Sequence, residues 1–279
     1  MAVELEQLKQ ETCPIVKWVG GKRQIMFELI KNMPKSYNRY FEPFIGGGAL
    51  FFELQPENAY ISDINEELIN LYTIVRDNVN ELILDLKKHN ISKEYFLEIR
   101  NIDRTEKYAE LSNIERASRF IYLNRTCFNG MYRVNSKGEF NVPFGYYKNP
   151  RIIDKNNLLN CSELLKKTEI KCADFSEILK KVKEGDFVYF DPPYVPLSET
   201  SSFTSYTKDG FDIDMQFKLR DVCDELDSMG VKFLLSNSDT KLVNELYENY
   251  NIKKIFASRQ INANADGRGK ITEVLVRNY

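Results

Sequence analysis

Short apolar runs alternate with stretches of helical spacing along these 279 residues, and that rhythm constrains the fold more than any other feature. The runs are Tyr40 to Phe44, Tyr60 to Asp63, Glu169 to Ala173, Phe187 to Phe190, Val231 to Ser236, Ile252 to Phe256 and Thr272 to Val276. Short runs rich in β-branched and aromatic residues read as strands, and amphipathic spacing between them reads as helices. Strands separated by helices predict an α/β sheet. The alternation breaks once, from about Glu66 to Pro150. There, helical stretches near 66–89, 93–101 and 114–126 lead into the turn-rich segment Asn135-Ser136-Lys137-Gly138. The expected organisation is a sheet domain of residues 1–65 and 151–279, interrupted by a helical subdomain of residues 66–150 that ends in a hairpin.

A 43% hydrophobic content is enough to bury a full core. No basic, apolar leader opens the chain, and no run approaches the roughly 18 to 20 apolar residues of a membrane helix, so a cytoplasmic protein without a membrane segment is expected. The cysteines, Cys13, Cys127, Cys161, Cys172 and Cys223, are odd in number and lack a CxxC pair, which argues against a disulfide framework or a zinc site. The single His89 stands in Lys87-Lys88-His89-Asn90, where a solvated helix end is expected; a metal centre or a serine-type triad needs more than this. No metal is expected.

The net charge of −2 does not advertise nucleic-acid binding, but its distribution does. Between Arg116 and Lys155 eight bases face only Glu139 and Asp154, a local charge of +6. The same window holds Phe120, Tyr122, Phe128, Tyr132, Phe140, Phe144, Tyr146 and Tyr147. Cations interleaved with rings suit phosphates and bases, while a solvated helix and a hairpin with an aromatic core would give the same composition.

The strand ends carry the chemistry. Asp191-Pro192-Pro193-Tyr194 follows Phe187-Val188-Tyr189-Phe190. Each proline fixes its own φ and biases the residue before it away from helix, so the Asp191 carboxylate, the Pro192 carbonyl and the Tyr194 ring are held in set directions. An exocyclic amine has two hydrogens to donate, which suits a carboxylate and a carbonyl beside a stacking ring. A plain turn whose Asp caps the next element is the bland alternative. Phe41-Glu42-Pro43-Phe44-Ile45-Gly46-Gly47-Gly48 closes another strand and opens a helix at Ala49 to Leu54, where glycines let backbone approach a ligand. Asp63 lies seventeen residues after Gly46, near the spacing at which doubly wound folds hold ribose hydroxyls; capping of a helix from Asn65 is its bland alternative. Upstream, Lys17-Trp18-Val19-Gly20-Gly21-Lys22-Arg23 holds the only tryptophan, with cations suited to a cofactor carboxylate or to DNA phosphate.

Lys17-Trp18-Val19-Gly20-Gly21-Lys22, Phe41 to Gly48, Asn124-Arg125 through Asn141-Val142-Pro143-Phe144-Gly145, and Asp191-Pro192-Pro193-Tyr194, in this order, resemble the Dam family of DNA adenine-N6 methyltransferases. The likeness runs almost end to end. Tyr37 to Phe52, Phe128 to Pro150 and Asp186 to Tyr206 look especially similar to the duplex-DNA methylase of Dpn-type restriction systems. The resemblance implies a Rossmann-like S-adenosylmethionine-dependent methyltransferase sheet with an inserted DNA-recognition subdomain. It also implies duplex DNA containing GATC as substrate, and leaves open a companion restriction endonuclease acting on the same site without a stable complex. Its cofactor residues fall on Trp18, Lys22, Asp63 and Asp191, and more loosely on Asp174-Phe175. Its DNA-contacting positions fall on Lys17, Arg125, Phe128, Asn129, Met131, Arg133 and Pro143. Lys17 would meet the outer guanine, Arg133 would bond O6 and N7 of a guanine together, and Phe128 would insert into the base stack. Phe128 stands where the family often has tyrosine, and Met131 where it can have leucine, so both keep an apolar wedge.

With that chemistry, adenine must leave the duplex for N6 to be reached. Asp191 and the Pro192 carbonyl would accept its two N6 hydrogens, and Tyr194 would stack on the ring. A protein-glutamine or RNA amino-methyltransferase would share the fold, but the glutamine enzymes usually begin this motif with Asn. A non-catalytic DNA reader would be expected to have lost cofactor residues, and those named above are all present. No heptad seam stands out, and a monomer is expected.

Overall fold

The computed structural model describes residues 11–196, 211–258 and 270–279; part of the expected similarity over Asp186 to Tyr206, residues 197–206, lies outside them. The chain forms two compact units. One comprises Gly20–Gly46, Pro56–Ile69 and Thr168–Tyr279; the other comprises the chain up to Val19, Gly47–Gln55 and Asn70–Lys167.

The first unit is built on a seven-stranded sheet of order β3-β2-β1-β4-β5-β7-β6. Its strands are β1 (Tyr40–Glu42), β2 (Ala59–Asp63), β3 (Thr168–Cys172), β4 (Phe187–Phe190), β5 (Lys232–Ser238), β6 (Asn251–Ser258) and β7 (Lys270–Arg277). β1 to β5 pair in parallel, and β7 runs antiparallel between β5 and β6. Every residue of β4 is buried, because a parallel strand covered on both faces reads as a continuous apolar run rather than an alternating one.

Helix α1 (Met26–Asn32) precedes β1, and α9 (Ile213–Ser228) precedes β5. The side chain of Asp212 caps α9 by accepting from the Met215 N–H at 3.0 Å. Leu219, Val222, Cys223 and Leu226 then recur at helical spacing and share a buried cluster with Val188 and Phe190 of β4 and Phe233 and Leu235 of β5. Burying each such leucine stabilises the unit by about 1.5–3 kcal/mol relative to exposing it.

The second unit is helical. It contains α2 (Ala49–Leu54), most of α3 (Glu66–Asp77), α4 (Val79–Leu86), α5 (Lys93–Asn101), α6 (Lys107–Glu110), α7 (Asn113–Thr126) and α8 (Lys155–Leu165). The helical stretch expected over 66–89 is interrupted at Asn78, which adopts a non-helical conformation just before α4. A capping box between Ser112 and Glu115 starts α7. The buried Asn157 of α8 holds the Cys13 backbone on both N–H and C=O, at 2.8 and 3.0 Å, so this unit is larger than the inserted segment 66–150.

His89 departs from its expected place at a solvated helix end. Its ring is partly buried and stacked on Tyr122 with centroids 4.4 Å apart, and its nitrogens meet the Tyr95 hydroxyl at 2.9 Å and the Ser118 hydroxyl at 3.0 Å. Burial pulls its pKa down to about 4. The expected hairpin is present, with an antiparallel bridge between Val134 and Phe140, and Asn135 closes its turn by accepting from the N–H groups of Lys137 and Glu139.

Candidate active site

Parallel strands bring their carboxyl ends to one edge of a sheet, and the order reverses between β1 and β4, where diverging connections leave a crevice. Asp63 ends β2 in register with Cys172 of β3, two residues before Asp174; Asp191 follows β4, and Ser236, Asn237 and Ser238 end β5. Lys22, in a 3-10 turn before α1, is only 6% exposed. Its ammonium meets Asp191 Oδ1 at 2.8 Å, donates to the Gly20 carbonyl at 2.7 Å and lies 4.6 Å from the centre of the Tyr194 ring. Ser236 Oγ donates to the same Oδ1 at 3.1 Å. Both contacts fall on one oxygen, and Oδ2 has no partner among the described residues.

Burial pushes the Asp191 carboxyl up, and Lys22 and Ser236 pull against it without cancelling the rise. The Tyr194 hydroxyl donates to Glu273 Oε2 on β7 at 3.1 Å; burial and the nearby Asp191 charge raise its pKa well above the ordinary value, so it stays a neutral donor. Two fully buried amides fix the chain on either side of this ring. Gln216 of α9 donates to the Pro193 carbonyl at 3.0 Å and accepts from Asn237 Nδ2 at 3.3 Å. Asn237 Oδ1 accepts from the Val195 N–H at 3.1 Å and the Ser238 N–H at 2.8 Å.

At β2, Asp63 accepts from the Gly46 N–H at 3.1 Å and the Asn65 N–H at 3.0 Å, and burial raises its carboxyl above the ordinary value. Gly46 has φ +45°, a left-handed conformation that glycine reaches without strain. The cap of α3 is supplied by Asn65, whose side chain accepts from the Leu68 N–H at 3.0 Å, so Asp63 is not the helix cap. Asp174 caps a 3-10 turn through the Ser176 N–H and meets Lys218 at 2.8 Å. Burial pushes its carboxyl up, but Lys218 and Ser176 outweigh it and hold the group below the usual range. Phe175 is 3% exposed, with Phe44 stacked at 5.2 Å and Phe211 tilted against it at 5.9 Å, so its ring is part of the core.

In the helical unit, Lys17, Phe128, Asn129, Arg133 and Pro143 are exposed, whereas Arg125 and Met131 are partly buried. The Phe128 N–H donates to the Pro143 carbonyl at 2.8 Å, so the main chain of Phe128 runs beside that of Pro143. Asn129 sits at φ +56°, turning the chain between them. Arg133 Nε donates to Asn141 Oδ1 at 2.6 Å across the hairpin. Arg125 Nη2 donates to the Ile15 carbonyl at 2.6 Å. Trp18 stacks on Tyr132 at 5.4 Å and 17°, and that ring stacks on Phe120 at 4.7 Å. The basic window is therefore only partly a surface: Phe120, Tyr122 and Phe140 are core, and Arg119 is buried against Asp103 at 2.7 Å.

The family model of D12 class N6 adenine-specific DNA methyltransferases matches residues 18–261. The chain belongs to this family. It is 52% identical to the Type II methyltransferase M1.LlaDCHI of Lactococcus lactis subsp. cremoris, over 99% of this chain and 98% of that one. It is 44% identical to the Type II methyltransferase M.MjaIII of Methanocaldococcus jannaschii over 96% and 100%, and 32% identical to the DNA adenine methylase of Escherichia coli K12 over 93% of each.

As a D12 class enzyme the chain is a site-specific DNA adenine-N6 methyltransferase with DNA as substrate, and its mixed α/β sheet is the Rossmann-like one of S-adenosylmethionine-dependent methyltransferases. The residues of this edge fit such a donor, whose sulfonium and ribose diol call for acceptors. Asp191 keeps one oxygen without a partner among the described residues, and Asp63 stands at the end of β2 as a second carboxylate. No helix among the described residues is long and apolar enough to cross a membrane. Sequence reasoning missed Ser236, Asn237, Gln216 and Glu273. The visible signal was the polar triplet Ser236-Asn237-Ser238 ending an otherwise apolar strand; Gln216 and Glu273 carry none.

Proposed function

We propose that this methyltransferase acts on GATC in duplex DNA, flipping the target adenine out of the stack. The observation that carries the chemistry is the half-engaged Asp191: Oδ1 bound by Lys22 and Ser236, Oδ2 left toward a ligand, on a loop clamped by Gln216 and Asn237. S-adenosylmethionine supplies, when bound, a methyl group on a positively charged sulfur. Trp18, Lys22, Asp63, Asp174, Phe175 and Asp191 are the residues proposed to hold it. Asp191 Oδ2 and the Pro192 carbonyl accept the two N6 hydrogens of the adenine, which drives its nitrogen toward a tetrahedral shape and turns the lone pair to the methyl. Tyr194 stacks on the base. Asp191 stabilises the charge that develops on N6, and Lys22 keeps Asp191 ionised for that task.

The GATC reading rests on the resemblance over Phe128 to Pro150, and the adenine target is the one in the name of relatives called DNA adenine methylase. Lys17 and Arg133 contact guanines, Phe128 inserts beside the target, and Arg125, Asn129, Met131 and Pro143 border the neighbouring bases or backbone, with residues 66–150 as the recognition insert. The relatives named Type II methyltransferase favour a restriction setting. A companion endonuclease acting on the same site and a monomeric methylase belong to the same reading. The test is transfer of labelled methyl to matched duplexes, one with a single GATC and one with its adenine already methylated on both strands. Incorporation only into the first is expected. Incorporation into both, or into neither, refutes the site assignment.

A further inference from the structure

We infer that Asn124 and Gly130 are positioning residues for Lys17, and through it for recognition of one end of the target site. Resting on the GATC reading above, this assigns a role to two residues that touch no base themselves. Asn124 lies near the end of α7 and is 1% exposed. Its Oδ1 accepts from the Lys17 N–H at 2.9 Å, and its Nδ2 donates to the Lys17 carbonyl at 2.9 Å and to the Gly130 carbonyl at 2.9 Å. An asparagine amide has two hydrogens to give, and both are used. Lys17 is thus held on both main-chain polar groups by one side chain, as a strand is held by its neighbour.

Gly130 completes the seat. It has φ +65°, and a Cβ built on it would lie 2.4 Å from Lys17 Cδ, 3.0 Å from its Cβ and 3.1 Å from its Cγ. The aliphatic stem of Lys17 therefore rests directly on the glycine backbone, which only a residue without a side chain permits. The ammonium of the exposed Lys17 ends 5.4 Å from the centre of the half-buried Tyr147 ring. A long side chain with many rotamers is aimed before DNA arrives, which removes part of the ordering cost of binding. Gly130 also closes the turn that carries Phe128 and Asn129. The same buried amide therefore sets the spacing between Lys17 and the wedge.

The test uses duplexes with one adenine already methylated, so that a single target remains, and replaces the base pair at each end of GATC in turn. For each protein the ratio of kcat/KM on the intact site to kcat/KM on the altered site gives the discrimination at that end. The folded fraction cancels in this ratio, so mere instability does not move it. Lys17→Ala identifies the end that Lys17 reads. Asn124→Asp keeps size and acceptor but loses both donors, and Gly130→Ala displaces the Lys17 stem while leaving Asn124 intact. Both are expected to lose about tenfold of the discrimination at the Lys17 end, to keep it at the other end, and to bind cofactor within about twofold of wild type. Unchanged discrimination at the Lys17 end, or equal loss at both ends, overturns the inference. If Asn124→Asp does not fold, Gly130→Ala decides alone. A wild-type enzyme indifferent to both ends refutes the GATC reading and takes the inference with it. Loss in Lys17→Ala with none in the two positioning variants refutes the inference alone.

Discussion

Replacing Gln216 by leucine tests whether the loop proposed to be catalytic is held by buried amides or by its prolines alone. Leucine keeps the volume and removes both hydrogen bonds of a side chain that is 0% exposed. Asn237 is equally buried, so its Nδ2 loses a partner with no water to replace it, at a cost of about 1–3 kcal/mol. Pro193 is exposed, so its carbonyl regains solvent and the loss there is that of one ordinary hydrogen bond, about 1 kcal/mol. The expected destabilisation is therefore about 2–4 kcal/mol, read as a shift of the urea midpoint at constant slope. Freed at Pro193, the chain lets Tyr194 drift, and a misplacement of about 1 Å costs up to about a hundredfold in turnover. The hydrogen bonds of Gln216 go to Pro193 and Asn237 and not to Lys22 or Asp63, so cofactor affinity should stay within about twofold. Adding Asn237→Leu removes the group that Gln216→Leu orphaned, so the double variant should be about 1–2 kcal/mol more stable than the sum of the singles requires. Wild-type kcat in a destabilised Gln216→Leu would show that the two prolines suffice, and strict additivity would show that the amides are not one unit.

Lys22→Met removes the cation that opposes the burial-driven rise of the Asp191 carboxyl. With that opposition gone the carboxyl titrates higher still, so activity lost on acidification should be lost at a higher pH; an acid limb of kcat that stays in place sinks this role. His89 has a folded pKa of about 4 against an ordinary 6.5, so the folded state favours the neutral ring. Its contribution, about 3 kcal/mol, should be complete above pH 6.5 and disappear as pH falls to 4. Denaturant titrations of wild type and His89→Gln should therefore converge over that window; parallel curves count against it. Phe128 is 51% exposed, so Phe128→Ala should change stability by no more than about 0.5 kcal/mol while slowing methyl transfer at least about tenfold on duplex and less on a substrate whose target adenine is unpaired. Equal slowing on both would remove the wedge role.

The parallel strands were legible because burial on both faces leaves an unbroken apolar run, as in Phe187 to Phe190, and because an acid or glycine at the end of such a run has no core to serve. Helix ends with local signals were legible too, as with 93–101. What stayed hidden depends on contacts between distant segments. Nothing near His89 announces Ser118, twenty-nine residues on, and nothing around Arg119 says that its guanidinium is spent on Asp103 instead of facing solvent. Gln216 reads as an ordinary polar position on an amphipathic helix, and Asn124 as one polar residue near the end of another.

These residues nevertheless share a physical signature once burial is known. A buried polar side chain destabilises a protein unless every donor and acceptor is met, and an apolar residue of the same size would be the simpler occupant. In this chain the buried amides at Asn237, Gln216 and Asn124 all bind main chain at the residues proposed to do the work: Val195 and Pro193 beside Tyr194, and Lys17. Each holds a loop from a neighbouring helix or strand. The residues of contact chemistry thus lie in the motifs, while the residues that aim them lie in neighbouring regular elements, where composition and periodicity treat them as exceptions.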